Sequence, residues 1–358
     1  MATTPSNLGV LQIEPTDHCN LACRMCAPHA EGWETVHGVP KGYLPMPLYT
    51  RIIDGLVDED CRFDHVIFQW LGDPSLHPEL ESMVAYAGRR LKGRVGYLRF
   101  DTNALLLLPD RMDRLVATRD PEVPLLVVFT LDATTPATYQ RVKGRDGLVR
   151  ARRHIRRLLS LRASGSSNLH VQVQFVVQEG NAHEAGDFLR YWSDAFRCHG
   201  RGHGHAEIMF KRLSVSGGAE GQVAADRLYE ETMSRFGIRA GEQDGVSVVT
   251  WNDRPWQEDD GHRGSRTACP GLWLTPVIRQ DGHLLMCCSD LHSELDLGAL
   301  SESSFRTLWD GEKATRTRLK HLAGRFEGVC AGCGGINWYA ITPDHVASTH
   351  QRAASLGL

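Results

Sequence analysis

Three cysteines near the start of the chain constrain its fold and chemistry more than any other feature. Cys19, Cys23 and Cys26 are spaced C-x3-C-x2-C and directly follow an apolar run, Val10 to Glu14, that predicts a β-strand. A loop of this spacing wraps three thiolates around three irons of a cubane and leaves the fourth iron open to a ligand. A structural zinc site would need a fourth closed ligand, and no further cysteine follows nearby. The spacing therefore predicts an iron-sulfur cluster with one open iron, and hence a redox enzyme.

Short runs of branched apolar residues alternate with amphipathic stretches, a pattern that predicts parallel strands with helices between them. The strand candidates are Val10 to Glu14, His65 to Trp70, Val95 to Asp101, Leu125 to Leu131, Leu169 to Val177 and Ala206 to Phe210. Six such units predict an α/β fold with a partial barrel, whose active site gathers at the carboxyl ends of the strands. We expect the barrel to span residues 8–213, followed by a variable connection over 214–268 and a small second domain over 269–358.

Composition excludes several classes of partner. Forty basic and forty-three acidic residues give a net charge of -3, which provides no broad attraction for nucleic acid or an anionic membrane. No apolar run approaches membrane-spanning length, and Met1 to Asn7 lacks the regions of a signal peptide. The arginine-rich stretch from Arg150 to Arg162 has its apolar residues on one helical face, which favours a solvated outer helix over a nucleic-acid site. We expect a cytoplasmic protein that acts on a small molecule or a peptide, with its cysteines used for metal or redox chemistry.

The three-cysteine loop is similar to that of the radical S-adenosylmethionine (radical SAM) superfamily, whose members carry it after the first strand of a partial (β/α)6 barrel. The resemblance implies a 4Fe-4S cluster whose open iron is chelated by the amino and carboxylate groups of SAM. It also implies one-electron reduction by a donor such as flavodoxin or ferredoxin, which releases a 5′-deoxyadenosyl radical. That radical then abstracts hydrogen from the substrate.

Further motifs at the ends of the predicted strands resemble the SAM-binding segments of that superfamily. The segment from Trp70 to Pro74 is similar to Gly-Gly-Glu-Pro, which implies that Gly72 and Asp73 receive the SAM amino group. The aspartate is one methylene shorter than glutamate, so the contact is expected to run more through backbone carbonyls. The alternative is a Gly-Asp-Pro turn without a ligand. Asn103 lies in a segment that resembles Thr-Asn-Gly, whose alternative reading is a polar strand end.

Two later segments complete the resemblance at the SAM site. Thr130 and Asp132 lie in a segment similar to Ser-Leu-Asp. Downstream, Tyr139 to Gly144 resembles a segment whose arginine holds the SAM carboxylate, but Lys143 stands where the arginine is usual. Because lysine neutralises a carboxylate without forming a bidentate pair, either Lys143 or the nearby Arg141 is expected to hold it.

A second set of cysteines lies in the last third of the chain, at Cys269, Cys287, Cys330 and Cys333. By spacing alone, a structural zinc ion and a fully ligated iron-sulfur cluster are equally open. The hairpin from Gly282 to Cys287 and the terminal C-x2-C resemble the SPASM/twitch auxiliary-cluster domain of radical SAM enzymes, as does the Leu-Trp-Asp segment between them. Tyr339 stands where the next cysteine of a full SPASM domain would be, so the shorter twitch version with one auxiliary 4Fe-4S cluster is implied. Within the superfamily, the pattern is most similar to the inosamine dehydrogenases of butirosin biosynthesis.

Three further residues are candidates for catalysis. Cys288 adjoins a predicted cluster ligand, where its thiol either returns a hydrogen atom to a substrate radical or packs beside the cluster. Lys211 and Arg212 follow the sixth predicted strand, where they bind substrate, help to remove a proton, or form structural salt bridges.

These features lead to one main hypothesis and three alternatives. The main hypothesis is dehydrogenation of a carbon that bears oxygen or nitrogen in a sugar, an aminocyclitol or a related natural-product precursor, with the auxiliary cluster accepting the second electron. Redox-neutral epimerisation with Cys288 as hydrogen donor and modification of a ribosomal peptide are the enzymatic alternatives. A non-catalytic metal-binding or regulatory module is the alternative from another class.

Overall fold

A computed structural model of the chain describes residues 7–27, 35–36, 39–164, 168–199, 205–214, 219–243, 245–250, 268–333, 335–336 and 339–358. Its strands are β1 (Val10–Ile13), β2 (Thr35–Val36), β3 (Val39–Pro40), β4 (Phe63–Phe68), β5 (Val95–Thr102), β6 (Leu125–Thr130), β7 (Leu169–Val177), β8 (Ala206–Arg212), β9 (Gly241–Gln243), β10 (Val246–Thr250), β11 (Val277–Ile278), β12 (His283–Leu285) and β13 (Asp296–Ala299). Its helices are α1 (Met46–Asp58), α2 (Leu80–Arg90), α3 (Pro109–Thr118), α4 (Pro136–Lys143), α5 (Leu148–Ala163), α6 (Ala185–Cys198), α7 (Ala219–Phe236), α8 (Gly271–Leu274), α9 (Phe305–Trp309), α10 (Glu312–Leu322) and α11 (Pro343–Leu356). None of the helices in these ranges has the length and apolar content of a membrane span.

One twisted sheet organises the molecule, with strand order β13-β12-β11-β1-β4-β5-β6-β7-β8-β10-β9. The strands from β11 to β10 in this order are parallel to one another, whereas β12, β13 and β9 pair antiparallel. All six predicted strands are present, and β7 has the predicted bounds. The α/β class and the parallel core are therefore confirmed.

The sheet is curved, as the side chains of β5 and β8 show. On β5, Leu98 and Phe100 are buried in the main apolar core, while Arg99 and Asp101 alternate with them on the other face. Lys211 on β8 interacts electrostatically with both Arg99 and Asp101, although β6 and β7 lie between these strands. Side chains on strands so far apart meet only across a concave face. The concave face of the partial barrel is therefore lined by charged residues.

The outer layer follows the predicted amphipathic pattern. In α5, Leu148, Ile155 and Leu158 are buried against the sheet, whereas Arg150 and Arg153 are exposed. Burial of the apolar face removes its side chains from water and supplies most of the helix's stability. The prediction of a solvated outer helix is confirmed.

The predicted connection over residues 214–268 contains ordered elements that the sequence pattern did not reveal. Helix α7 is followed by β10, which pairs in parallel with β8 and so adds a seventh strand to the predicted six. The register places Val248 opposite Ile208, and both are buried. Residues 215–218, 244 and 251–267 of this stretch lie outside the described part of the chain.

The C-terminal region continues the same sheet. The predicted hairpin around Asp281 and Gly282 forms from β11 and β12. Strand β11 also pairs in parallel with β1, with Val277 opposite Gln12. Helices α9 and α10 are separated at Gly311, where a Cβ would lie 2.7 Å from the Thr307 carbonyl oxygen. The second cysteine set is thereby attached to the first strand of the barrel.

Candidate functional site

The loop that carries Cys19, Cys23 and Cys26 leaves β1 at its carboxyl end and packs against the end of α4. The Ala22 amide donates to the Lys143 carbonyl at 3.3 Å, and the Arg24 amide donates to the Val142 carbonyl at 3.2 Å. Gly144 caps α4 with a φ of +81°, and a Cβ there would lie 2.5 Å from the Ala22 carbonyl oxygen. Only glycine combines this left-handed conformation with so close an approach.

The other side of the same loop rests on the ends of β4 and β5. A Cβ on Gly72 would lie 2.2 Å from the Thr16 carbonyl oxygen, so these two backbones are in direct contact. The Asp73 amide donates to the His18 carbonyl at 2.9 Å. The Asn103 side chain donates to the Asn20 side chain at 2.7 Å. The cysteine loop is therefore held on three strand ends and one helix end.

The three thiols are half-buried and lie within electrostatic range of one another. Burial, followed by the negative charge of Asp73, raises the pKa of Cys19 to about 12. Burial also raises the pKa of Cys23, although the Lys143 ammonium acts in the opposite direction. Thiols of this kind bind a metal only as thiolates, so cluster binding must release their protons. Three neighbouring thiols that form no disulfide fit the donor set that a site-differentiated 4Fe-4S cluster needs.

Asp73 is a buried junction between two loops. Its carboxylate accepts from the Ser75 amide at 2.9 Å and hydroxyl at 2.6 Å, from the Thr102 hydroxyl at 2.9 Å, and from the Asn103 amide at 2.7 Å. A carboxylate offers about four lone-pair sites, and these bonds occupy them. The arrangement favours backbone carbonyls of the Gly72 segment, rather than the Asp73 side chain, as the acceptors for an ammonium group.

Lys143 and Asp132 form a buried ion pair next to the cysteine loop. The lysine side chain is 3% exposed and the aspartate is fully buried. The other oxygen of Asp132 accepts from the Val176 amide at 2.6 Å. Arg141, the alternative holder of a SAM carboxylate, is exposed and donates to the Thr138 hydroxyl at 2.9 Å. The charge of Lys143 is thus neutralised by Asp132, while the charge of Arg141, two residues earlier on α4, is exposed to solvent.

Asn103 and Thr130 occupy the predicted strand ends. The Asn103 Oδ1 accepts from the Leu105 amide, so this side chain holds both its own loop and the cysteine loop. Thr130 is half-buried at the end of β6 and pairs with Gln174 on β7. Asn103 therefore contacts the cysteine loop directly, and Thr130 lies at the end of the neighbouring strand.

The second cysteine set also converges. A Cβ on Gly271 would lie 3.4 Å from the Sγ atoms of both Cys269 and Cys287, which places these two thiols on either side of it. Gly335 lies close to Cys269, and its amide donates to the Cys333 sulfur at 3.4 Å. Cys330 lies half-buried at the end of a single 3-10 turn, three residues before Cys333. The structure therefore brings Cys269, Cys287 and Cys333 together, and Cys330 lies in the same short segment as Cys333.

Backbone amides point at these sulfurs, as they do around thiolates that carry charge. The Ile336 amide donates to Cys269 and the Ser289 amide donates to Cys287, each at 3.4 Å. Such bonds stabilise metal-bound thiolates and tune cluster potentials. Within the described residues, no three histidine, cysteine or acidic side chains are placed to hold one single metal ion.

Cys288 adjoins Cys287 of the second cysteine set. Its thiol and that of Cys287 interact directly, and its charge is felt by Lys211 on β8. The Trp70 indole donates to the Cys288 carbonyl at 3.0 Å, which ties this residue to the end of β4. Burial lowers the pKa of Lys211, and the neighbouring Arg99 lowers it further. Lys211 and Cys288 are thus within electrostatic range of each other, and the part of either in catalysis stays a prediction.

Arg212 occupies the opposite face of β8. Its guanidinium pairs with Asp226 of α7 at 2.8 Å and is buried. Because successive residues of a strand point to opposite faces, Arg212 and Lys211 do not share a site. This placement favours the structural salt bridge that the sequence left open over a part in substrate chemistry.

Arg99 and Asp101 are candidate site residues that the sequence interpretation did not single out. Their side chains form a bidentate pair, with nitrogen-to-oxygen distances of 2.6 and 2.7 Å. They are 19% and 16% exposed, although they lie on the inner face of the barrel, so they line a space that solvent reaches. The alternation of polar and apolar residues along the strand from Val95 is the signal that would have found them.

Glu14 was also missed. Its carboxyl accepts from the Leu71 amide at 3.0 Å and from the Gln280 amide at 3.4 Å, and so joins β1, the Gly72 segment and the C-terminal hairpin. Burial raises its pKa to about 7. Glu14 directly follows β1 and precedes the cysteine loop, and this position in the sequence could have identified it as a site residue.

Comparisons with known proteins agree with this geometry. Residues 13–179 match the family model of the radical SAM superfamily, and residues 269–334 match SPASM, an iron-sulfur cluster-binding domain. A curated protein of Pyrococcus furiosus, the tungsten-containing aldehyde ferredoxin oxidoreductase cofactor-modifying protein, is 26% identical over 183 residues. That match covers 51% of this chain and 47% of the relative, so the chain spans about half the length of the relative it matches.

One solved structure illustrates the likeness of fold, and a second is a weaker match. Native anSMEcpe with bound AdoMet has a TM-score of 0.59 at 14% identity, and the alignment covers 97% of this chain and 96% of that one. BtrN in complex with AdoMet and 2-DOIA has a TM-score of 0.45 at 14% identity, with 88% and 87% covered. The two family matches, which include all seven cysteines predicted as cluster ligands, show that this chain belongs to the radical SAM superfamily, binds SAM and a 4Fe-4S cluster in its barrel, and carries a SPASM-type auxiliary iron-sulfur domain.

Proposed function

We propose that the chain dehydrogenates a polar small molecule, such as a sugar or an aminocyclitol, at a carbon that bears oxygen or nitrogen. The observation that carries the proposal is the charged lining of the barrel interior. Arg99, Asp101 and Lys211 lie on its concave face, and Cys288 reaches the same space from the auxiliary domain. An interior of this kind suits a substrate with several hydroxyl or amino groups, because each buried polar group then finds a partner. Such oxygen-sensitive chemistry fits the reducing cytoplasm.

The ligand roles of the cysteines are part of the proposal. Cys19, Cys23 and Cys26 would hold the SAM-binding cluster, and Cys269, Cys287, Cys330 and Cys333 would hold the auxiliary cluster. When bound, these groups supply a hydrogen-abstracting 5′-deoxyadenosyl radical and an acceptor for one electron. Arg141 is the better-placed partner for the SAM carboxylate, because the charge of Lys143 is already matched by Asp132.

The chain's own residues would provide binding and proton transfer. Dehydrogenation of a carbinol removes one hydrogen atom from carbon, one proton from oxygen and one electron. Lys211 Nζ is suited to accept that proton, because burial lowers its pKa and increases its neutral fraction. The Arg99–Asp101 pair offers both donors and acceptors for neighbouring hydroxyl or amino groups.

One observation favours a second candidate, a radical epimerisation. The Cys288 thiol adjoins that of Cys287 and lies within electrostatic range of Lys211. A thiol there would give a hydrogen atom to a carbon radical from one face. The resulting thiyl radical would then be restored by one electron and one proton from an external reductant.

Product analysis tests the proposal. Anaerobically reconstituted protein, with SAM and sodium dithionite, would be incubated with a panel of aldoses, amino sugars, cyclitols and aminocyclitols. We expect a product two mass units lighter than one of these substrates, and its loss in Asp101→Asn and Lys211→Met. Arg157→Met, on the exposed face of α5, is the matched control and should keep the product.

Isotope incorporation separates the two candidates. Epimerisation in heavy water would give a product of unchanged oxidation state with one deuterium on carbon, and Cys288→Ala would abolish it. That outcome would show epimerisation, and not dehydrogenation, to be the reaction. Modification of a peptide substrate, with none of the sugars or cyclitols consumed, would contradict both.

A further inference from the structure

A groove of about 540 Å³ opens on the outer surface of the barrel, next to the cysteine loop. Asn20, which directly follows Cys19, forms part of its wall. Arg145 lies on the same wall and donates to the Asn20 carbonyl oxygen at 2.8 Å. The inner side of the groove is thus the loop that carries the predicted ligands of the SAM-binding cluster. Its outer side is the start of α5.

The groove is basic and open to solvent. Arg145, Arg150 and Arg153 line it, and all three are exposed. None of the three forms an ion pair with a described residue. One acidic residue, Asp146, is among the lining residues, and its carboxylate accepts from the Gly147 amide.

Other arginines of α5 are used differently. Arg152 stacks on the ring of Tyr191, with its guanidinium carbon 3.9 Å from the ring centroid. Arg157 pairs with Asp113 at 2.7 Å. Positive charge that is not neutralised by such contacts is therefore concentrated at the end of the helix nearest the cysteine loop. Since the whole chain carries a net charge of only -3, this is a local feature and not a consequence of composition.

An apolar side chain completes the surface. Val149 lies between the arginines in sequence, lines the groove and is 62% exposed. A small exposed apolar centre with a charged surround is the pattern of transient protein interfaces, where charge steers the encounter and a few apolar contacts complete it. Electron-transfer encounters use small interfaces of this kind.

We propose that this groove docks a small acidic one-electron carrier protein, of the flavodoxin or ferredoxin class, which reduces the cluster held by the adjacent loop. The carrier is oxidised by one electron and the cluster is reduced by one. The basic lining attracts an acidic face, and its position beside Asn20 brings the carrier against the loop that needs the electron. The proposal rests on the cysteine ligands proposed above and is independent of the substrate.

A charge-reversal experiment tests it. Arg150→Glu/Arg153→Glu would be compared with Arg51→Glu/Arg89→Glu, which carries the same charge change on the exposed faces of α1 and α2. The assay is formation of 5′-deoxyadenosine from SAM by the reconstituted holoenzyme. Each protein is reduced either by sodium dithionite or by enzymatically reduced flavodoxin at low salt, with a clostridial-type ferredoxin as a second carrier.

We expect the groove variant to keep the parental rate with dithionite and to lose about tenfold in rate at limiting carrier, through a higher KM for the carrier. The control variant should behave as the parent with both reductants. The parental rate with the carrier should fall as salt is added, and the dithionite rate should not.

Several outcomes would overturn the proposal. These are an unchanged carrier rate in the groove variant, an equal loss with dithionite, or an equal loss in the control variant. Salt-sensitive binding of the parent to single-stranded RNA or duplex DNA, lost in the groove variant while the carrier rate is kept, would assign the surface to nucleic acid instead. If the parent makes no 5′-deoxyadenosine with dithionite, the failure lies with the proposed cluster ligands and function and not with the docking surface.

Discussion

Replacing Gly72 with alanine perturbs the contact that supports the cysteine loop. The added Cβ would lie 2.2 Å from the Thr16 carbonyl oxygen and 2.7 Å from the His18 carbonyl oxygen. Both neighbours are backbone atoms, so no flexible side chain can give way. The two segments must separate by about 1 Å to restore an ordinary contact. The 2.9 Å hydrogen bond from the Asp73 amide to the His18 carbonyl would lengthen with them.

This displacement falls on the residue next to Cys19. Because a misplacement of about 1 Å at a reacting centre costs roughly 100-fold in rate, we expect Gly72→Ala to lower 5′-deoxyadenosine formation by about that factor. Loss of one neutral hydrogen bond costs about 1 kcal/mol, so the fold itself should survive. Iron content, SAM affinity and the anaerobic rate with dithionite would be measured on the same preparations.

Gly55→Ala is the matched control. It makes the same chemical change in α1, where a Cβ would meet nothing within 4 Å. Alanine in a helix interior should stabilise the protein by about 1 kcal/mol and leave the rate unchanged. A parental rate in Gly72→Ala would refute the argument that this contact positions the cysteine loop. Global unfolding of Gly72→Ala, seen by circular dichroism, would show that the contact supports the whole barrel and not the loop alone.

Three further predictions concern buried charge and the auxiliary cysteines. Because the pKa of Glu14 is raised to about 7 from 4.5, the folded metal-free protein holds this proton longer than the unfolded chain does, so its unfolding free energy should fall by about 3 kcal/mol as the pH rises through that window. Urea unfolding at pH 5 and pH 8 should show this loss of unfolding free energy, and Glu14→Gln should not show it. An equal change in unfolding free energy in both proteins would contradict the raised pKa of Glu14. Lys143→Met leaves the Asp132 carboxylate buried without its cation and should cost about 3–5 kcal/mol, whereas the exposed Arg141→Met should cost under about 1 kcal/mol and weaken SAM binding. Stability is measured by urea unfolding and SAM affinity by titration. If Lys143→Met weakened SAM binding more than Arg141→Met, or cost less stability, Lys143 would be the residue that holds SAM. Cys330→Ala/Cys333→Ala should reduce the iron content from about eight to about four per chain. An unchanged iron count, or stoichiometric zinc in the parent, would contradict the proposal that these cysteines bind an auxiliary cluster.

Much of the fold follows from local pattern. The sequence predicts β7 with its observed bounds because apolar and polar residues alternate from Leu169 to Phe175 and two valines follow. Strand β10 was missed because it is five residues long and lies beyond a helix in a stretch that reads as a connection. Its membership in the sheet depends on pairing with β8, which is a property of the tertiary fold.

The candidate site divides in the same way. Cysteine spacing is a local feature of the sequence, and it was enough to predict the two cysteine sets. The hydrogen-bond partners of each polar side chain depend on the tertiary fold. Asp73 meets Thr102 and Asn103 from the next strand end, and Lys143 meets Asp132, so their hydrogen-bonding capacity is consumed by residues that the sequence places elsewhere. Likewise, only curvature of the sheet brings Lys211 to Asp101.

The central claim is that the loop after β1 holds the cluster on which SAM is cleaved, and formation of 5′-deoxyadenosine tests it most directly. With dithionite and SAM, the reconstituted protein should form 5′-deoxyadenosine, and Cys19→Ala/Cys23→Ala/Cys26→Ala should form none while retaining about four irons. Cys198→Ala, at an exposed cysteine of α6, should match the parent. A parental rate in the triple variant, or no 5′-deoxyadenosine from a parent that carries its full iron, would contradict the account.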